Sequence, residues 1–174
     1  MKKTSIIIAA IIMIAGFTSS LMAQNTVHTA AAAKIVSALT VSNDETIGVG
    51  LHFGTMTRPT AQTTVLVTAL GGRSDGGSIT LLPQEPSFHV AHYSVSADGP
   101  ATYLITLPTS DVTIRNTANN TMTVNTFTCN KPSNIGTLNN SGVDSFTVGA
   151  TLNLYPNQES GVYSGTYDVT VAYN

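Results

Sequence analysis

Apolar and polar residues alternate with a period of two along most of this chain, in short runs separated by Gly, Pro, Asn and Asp. Successive side chains of a strand point to opposite faces, so such runs are the signature of half-buried β-strands. The pattern predicts strands over residues 34–41, 47–53, 63–70, 78–82, 88–96, 101–107, 111–115, 121–129, 146–154 and 164–173. Turn chemistry punctuates them at Arg58-Pro59, Gly71-Gly72, Asp75-Gly76-Gly77, Asp98-Gly99-Pro100, residues 116–120, Asn139-Asn140 and Pro156-Asn157,. No stretch carries the period of an amphipathic helix. The alanines at 30–33 are too few to nucleate one and run on into Val, Leu and Thr, so they lead into an extended first strand,. About ten strands at this spacing predict an all-β fold, a sandwich of two antiparallel sheets, with a closed barrel as the alternative.

The longest break, residues 130–144, holds Pro132 and several Asn and Gly, and reads as a surface loop. A domain boundary there would leave about 30 residues, too few for a core of their own, so the last strands must complete the same sheets. The N-terminus has a different pattern. Lys2 and Lys3 precede an apolar stretch over residues 6–17, followed by Thr18, Ser19, Ser20 and then Leu21-Met22-Ala23. This order of charge, apolar run and small residues predicts a signal peptide cut after Ala23. The run is too short to span a bilayer, which takes roughly 20 apolar residues. No cysteine follows the cut to accept a lipid, and no second apolar run is of spanning length. Residues 24–174 are then expected to form one domain, exported to the periplasm, the cell surface or the medium.

Composition sharpens this picture. Charged residues make up 9% of the chain and Trp is absent. Thr and Val suit a pleated surface, and Asn and Gly suit tight turns. Because the Thr residues are interleaved with Val, Leu and Ile, the chain has enough apolar surface to offset ordering entropy, unlike a Thr-rich stalk. A net charge of −2 gives no basic footprint for nucleic acid or anionic lipid,. Cys129 is the single cysteine, which excludes an internal disulfide,. It reads as a small buried apolar residue at a strand end, or else as an intermolecular bridge.

Several runs carry a family resemblance. They are Leu51-His52-Phe53-Gly54-Thr55, Gly71-Gly72-Arg73 with Gly76-Gly77 before the next run, residues 101–108, residues 149–153 and residues 161–173. In order and spacing they resemble the exported bacterial family known as domain of unknown function 4402. The resemblance spans nearly the whole of residues 24–174 and implies export and an immunoglobulin-like or pilin-like sandwich. It implies no catalytic chemistry, since that family carries no established activity.

The C-terminal run is the most informative for function. Tyr167, Val169, Val171 and Tyr173 share one face of the expected strand, and Thr166, Asp168, Thr170 and Ala172 the other,. A final alternating strand with a penultimate Tyr173 and with Gly161 fourteenth from the end is similar to subunits of chaperone–usher pili. In those, an incomplete sandwich is completed by a strand from the next subunit, through backbone hydrogen bonds and alternating side chains. The resemblance makes Gly161, Tyr163, Tyr167, Val169, Val171 and Tyr173 an assembly strand. The other reading makes Gly161 a turn residue and Tyr173 a core residue of an ordinary last strand. Residues 24–33 depart from the pilus pattern, offering only Val27 and small residues as a donor strand.

Catalytic signals are thin. Gly72-Arg73-Ser74-Asp75-Gly76 matches the Gly-x-Ser-x-Gly elbow, which needs a helix directly after it where a strand is expected. His28, His52, His89 and His92 have no metal-ligand spacing, and His89 and His92 point to opposite faces of one strand,. Asp44-Glu45, Asp75 and Asp98 fall in turns, too dispersed for a calcium loop. No enzyme activity, cofactor or metal is expected. The leading expectation is a structural subunit of a surface fibre or layer. Its partners would be copies of itself or related subunits and a periplasmic chaperone. The alternative is a stand-alone secreted module that binds a glycan or a protein.

Overall fold

A computed structural model of the chain describes residue 30 and residues 32–43 and 50–174. The expected leader, its cleavage site, His28, Asp44-Glu45 and the first part of the 47–53 strand lie outside the described residues. Residues 35–174 cluster as one unit, which holds all the strands found among the described residues.

Among the described residues twelve strands run in order: β1 (Thr40–Asn43), β2 (His52–Phe53), β3 (Thr63–Val67), β4 (Arg73–Asp75), β5 (Phe88–His89), β6 (Ala91–Ser96), β7 (Thr102–Thr106), β8 (Val112–Arg115), β9 (Thr121–Cys129), β10 (Ile135–Thr137), β11 (Val143–Leu154) and β12 (Thr170–Tyr173). The pairings between them are antiparallel. The spine is β11, because Phe146, Val148, Ala150, Leu152 and Leu154 bury every second side chain along its length. Its first half pairs with β6, its second half with β3, and β9 pairs with it from Val148 to Asn153. With β1 outside β6, β4 outside β3 and β8 outside β9, these strands make a seven-stranded sheet. A second sheet has the order β10-β7-β12, and β2 and β5 form a short pair of their own.

Two apolar clusters divide the core. In the first, Ala91, Val95, Phe146 and Val148 of the large sheet meet Tyr103 and Ile105 of β7, with Leu107 and Leu138 beside them. This is the sandwich the alternation requires, each buried Leu- or Phe-sized side chain contributing about 1.5–3 kcal/mol. The second comprises Val65, Val124, Ala150, Leu152 and Leu154. Among the described residues, no full sheet covers it. Leu51, Phe53, Met56, Ile79 and Leu81 pack on it from β2 and the loops around it, and are themselves only partly buried.

Several expected elements change. The expected 34–41 strand is regular only from Thr40, where β1 begins and runs on to Asn43. The expected 88–96 strand breaks at Val90 into β5 and β6, which belong to different sheets and leave His89 and His92 on separate strands. Residues 78–82 form no strand: Leu81 makes one bridge to Met56, and Thr57 and Leu82 donate to the Thr80 and Thr55 carbonyls. Ile79 and Leu81 do face the second cluster, so the alternation was real, but the neighbour they meet is another loop. The Gly-rich turn after Leu70 holds β4, a polar strand at the sheet edge. The expected loop at 130–144 contains β10 and the start of β11. The expected 164–173 strand is regular only over Thr170–Tyr173.

Candidate functional site

Because the second cluster lacks a covering sheet, an apolar cleft of about 780 Å³ opens over it. Its floor is built by Val112 and Ile114 of β8, Met122, Val124 and Phe127 of β9, and Leu152 and Leu154 of β11. Residues 50–59 form one wall and residues 158–167 the other. The first wall is held by Arg73, whose guanidinium donates to the carbonyls of Phe53 (3.0 Å), Thr55 (3.4 Å) and Leu82 (3.1 Å). It also lies over the Phe88 ring, 4.8 Å from its centroid. At the mouth Arg58 and Glu159 make an exposed ion pair of 3.0 Å, which adds little stability in water,.

The second wall contains three of the six expected assembly residues, Gly161, Tyr163 and Tyr167. Gly161 is exposed, its backbone against Asn116. Tyr163 donates from its hydroxyl to the Glu159 carbonyl (2.8 Å) and accepts from Gln158 Nε2 (3.0 Å). Ser164 and Arg115 exchange backbone hydrogen bonds of 2.8 and 2.9 Å, a ladder-like link between this segment and the outer edge of β8. Gly165 follows, where a Cβ would press on the Thr113 carbonyl and the Ile114 side chain. The chain then crosses to the other sheet. Tyr167 packs against Phe127 at 4.9 Å, and its hydroxyl shares a hydrogen bond of 3.1 Å with the Tyr93 hydroxyl. Burial first, and then the bond between them, pushes the Tyr167 hydroxyl far above the ordinary tyrosine range; burial also raises Tyr93. Both therefore act as neutral hydroxyls at the end of the cleft.

Val169 and Val171 continue the half-buried face against the first cluster, while Thr166, Asp168, Thr170 and Ala172 are exposed. Tyr173 departs from the core reading: it is 37% exposed, and its hydroxyl donates to the Ser37 carbonyl at 2.7 Å. The expected strand is thus two pieces, a cleft wall at 161–167 and β12, which pairs with β7. Asn174 N donates to Thr102 O, so the alternation of an antiparallel ladder turns the backbone groups of Ala172 and Thr170 toward β7 and those of Val171 and Tyr173 outward,.

A polar cluster lies apart from the cleft. Asp144 accepts from Lys131 Nζ (2.7 Å), the Tyr103 hydroxyl (2.9 Å) and the backbone amides of Thr137 (3.2 Å) and Ser145 (2.8 Å). Burial alone would raise its pKa, yet the bonds from Lys131, Tyr103 and Ser145 together hold it below the usual carboxylate value. Tyr103 is raised, chiefly by burial and then by Asp144. Gly136 leaves the space its ring occupies. Beside it the half-buried Cys129 thiol lies 3.2 Å from Asn134 Oδ1. This network ties β7, β10 and β11 together, with both oxygens of the carboxylate engaged.

Residues 72–76 do not form an elbow, since Ser74 sits within β4 and the Asp75-Gly76-Gly77 turn follows. Among the described residues no three His, Cys, Asp or Glu side chains cluster to hold a metal, and no helix is long and apolar enough to cross a membrane. The structure does bring His52 opposite His89, a pairing no sequence spacing indicated.

The family model for the domain of unknown function DUF4402 matches residues 39–173, from just before β1 to the end of β12. The chain belongs to the DUF4402 family. No curated protein and no solved structure matches it. The DUF4402 match contains both clusters, the cleft and both pieces of the C-terminal segment, so the cleft over the second cluster lies within the matched region.

Proposed function

We propose that this DUF4402 protein is an exported structural subunit of a pilus-like surface fibre or layer, assembling when an extended segment of another subunit is added to it. The observation that carries the reading is the apolar cleft over the second cluster, where Val112, Ile114, Met122 and Phe127 are only half-buried. A continuous cleft lined by half-buried apolar side chains leaves apolar surface in contact with water, and an extended segment places alternate side chains into such a cleft while bonding through its backbone. The outward groups of Val171 and Tyr173 on β12 offer a second edge for the same kind of contact. A periplasmic chaperone would cover these surfaces until assembly.

The alternative is a secreted module that binds a glycan or a protein, favoured by Tyr93, Tyr163 and Tyr167 in the cleft,. Val112→Gln separates the two. It puts an amide into the half-buried floor at the outermost strand of the sheet, where the fold tolerates it. Assembly followed by light scattering should fall while the monomer keeps its circular dichroism. A variant that is folded and assembles like the parent would remove the cleft from the mechanism.

A further inference from the structure

The short pair β2–β5 places His52 directly opposite His89, with ring centroids 4.6 Å apart and planes inclined by 26°. Opposed residues of an antiparallel pair share a face, with Cβ atoms about 4.5–5.5 Å apart. Two imidazoles held this way can reach one ion. Bonds of about 2.0–2.1 Å to zinc put two ligand nitrogens about 3.3 Å apart across a tetrahedral centre. The stack itself does not converge on a point. Convergence on one ion requires the rings to turn about χ2 and open the stack into a V.

The surroundings favour this use. His89 Nδ1 lies 3.3 Å from the Val90 carbonyl. With the proton on Nδ1, that bond leaves the Nε2 lone pair free, the arrangement in which a ligand histidine is oriented by a backbone acceptor. Among the described residues neither ring is in an ion pair. Arg73 fixes the positions next to both ligands, bonding the Phe53 carbonyl and lying over the Phe88 ring. His52 is exposed, so water can fill the remaining coordination positions.

We propose that His52 and His89 bind one divalent transition-metal ion through their imidazole nitrogens. The donor set selects ions that favour nitrogen, such as zinc, nickel or copper, over magnesium and calcium, which take oxygen ligands. Binding would clip β2 to β5 along one wall of the cleft, and it does not depend on whether the protein polymerises.

Isothermal titration of the exported chain with zinc chloride and nickel chloride at pH 7.5 tests the site, with magnesium chloride as control. The parent should bind one ion, and His52→Gln and His89→Gln should each weaken it about tenfold or more. Circular dichroism confirms that both variants are folded, and zinc should raise the Tm of the parent but not of either variant. Absence of binding, binding of magnesium with equal affinity, or zinc binding that survives either substitution would overturn the proposal.

Discussion

Replacing Arg73 by alanine should destabilise the protein by about 2–3 kcal/mol. The side chain is half-buried and joins three separate segments: β4 on which it sits, the wall at Phe53–Thr55, and the loop at Leu82. A hydrogen bond from a charged donor contributes about 1.5–3 kcal/mol when well shielded. Here the bonds to Phe53 and Leu82 are well formed, the one to Thr55 is long, and partial exposure lets water replace some of what is lost, so about 1 kcal/mol for each of the two good bonds is appropriate. The contact with Phe88 adds about 0.5–1 kcal/mol. Against a typical total of about 5–15 kcal/mol, the change moves the urea midpoint clearly without abolishing folding. Arg73→Lys should recover less than half, because one ammonium cannot replace a planar fork that reaches three carbonyls. Amide exchange at Leu82, whose N–H donates to the Thr55 carbonyl, should accelerate along with the loss. A loss below about 0.5 kcal/mol, or full recovery by lysine, would refute this account of how the wall is held.

Proline on β12 should separate folding from assembly. Thr170→Pro removes a donor facing β7 and should cost about 2–3 kcal/mol in a urea melt. Val171→Pro removes an outward amide, keeps an apolar group against the core, and should leave a folded monomer that assembles poorly by light scattering. Asp144→Asn should destabilise by about 2 kcal/mol at pH 7, the loss of charged acceptors for Lys131 and Tyr103. Because the folded-state pKa of Asp144 lies below its ordinary 3.8, its contribution is complete above about pH 4 and disappears as pH falls through the lower value, so parent and variant should converge in acid melts,. Cys129→Ala should cost about 1 kcal/mol or less, since the thiol's bond to Asn134 is weak and the space is small,. Mass spectrometry of exported protein should give a chain beginning at Gln24, and an intact Met1 would contradict that.

The period-two pattern made the long strands legible. Thr63, Val65 and Val67 bury one side of β3 as the alternation requires, and Tyr103 and Ile105 do so on β7. The same pattern placed Tyr167, Val169 and Val171 on one face. It could not register pairing. Whether Ile79 and Leu81 join a sheet depends on what lies beside them, and a loop does. The short polar strands β4 and β10 carry turn-like composition and are strands only because β3 and β7 offer them edges. The cleft was invisible for a related reason, since the residues of its floor read as ordinary core. Only the packing reveals that Leu152 and Leu154 lie under loops rather than under a second sheet. Arg73 stood in the family-like run Gly71-Gly72-Arg73, yet its three acceptors come from segments whose approach alternation does not describe. His52 and His89 meet because β2 and β5 pair, a contact with no local signal.

The central claim, assembly by addition of an extended segment, is tested most directly by electrophoresis of the concentrated, purified protein in detergent, with and without boiling. An interface made of β-ladder bonds over a filled apolar cleft should resist detergent, so the account predicts a ladder of oligomers in the unboiled sample that collapses to one band on boiling. A single monomer band in both lanes, at concentrations where light scattering also finds only monomer, would contradict it.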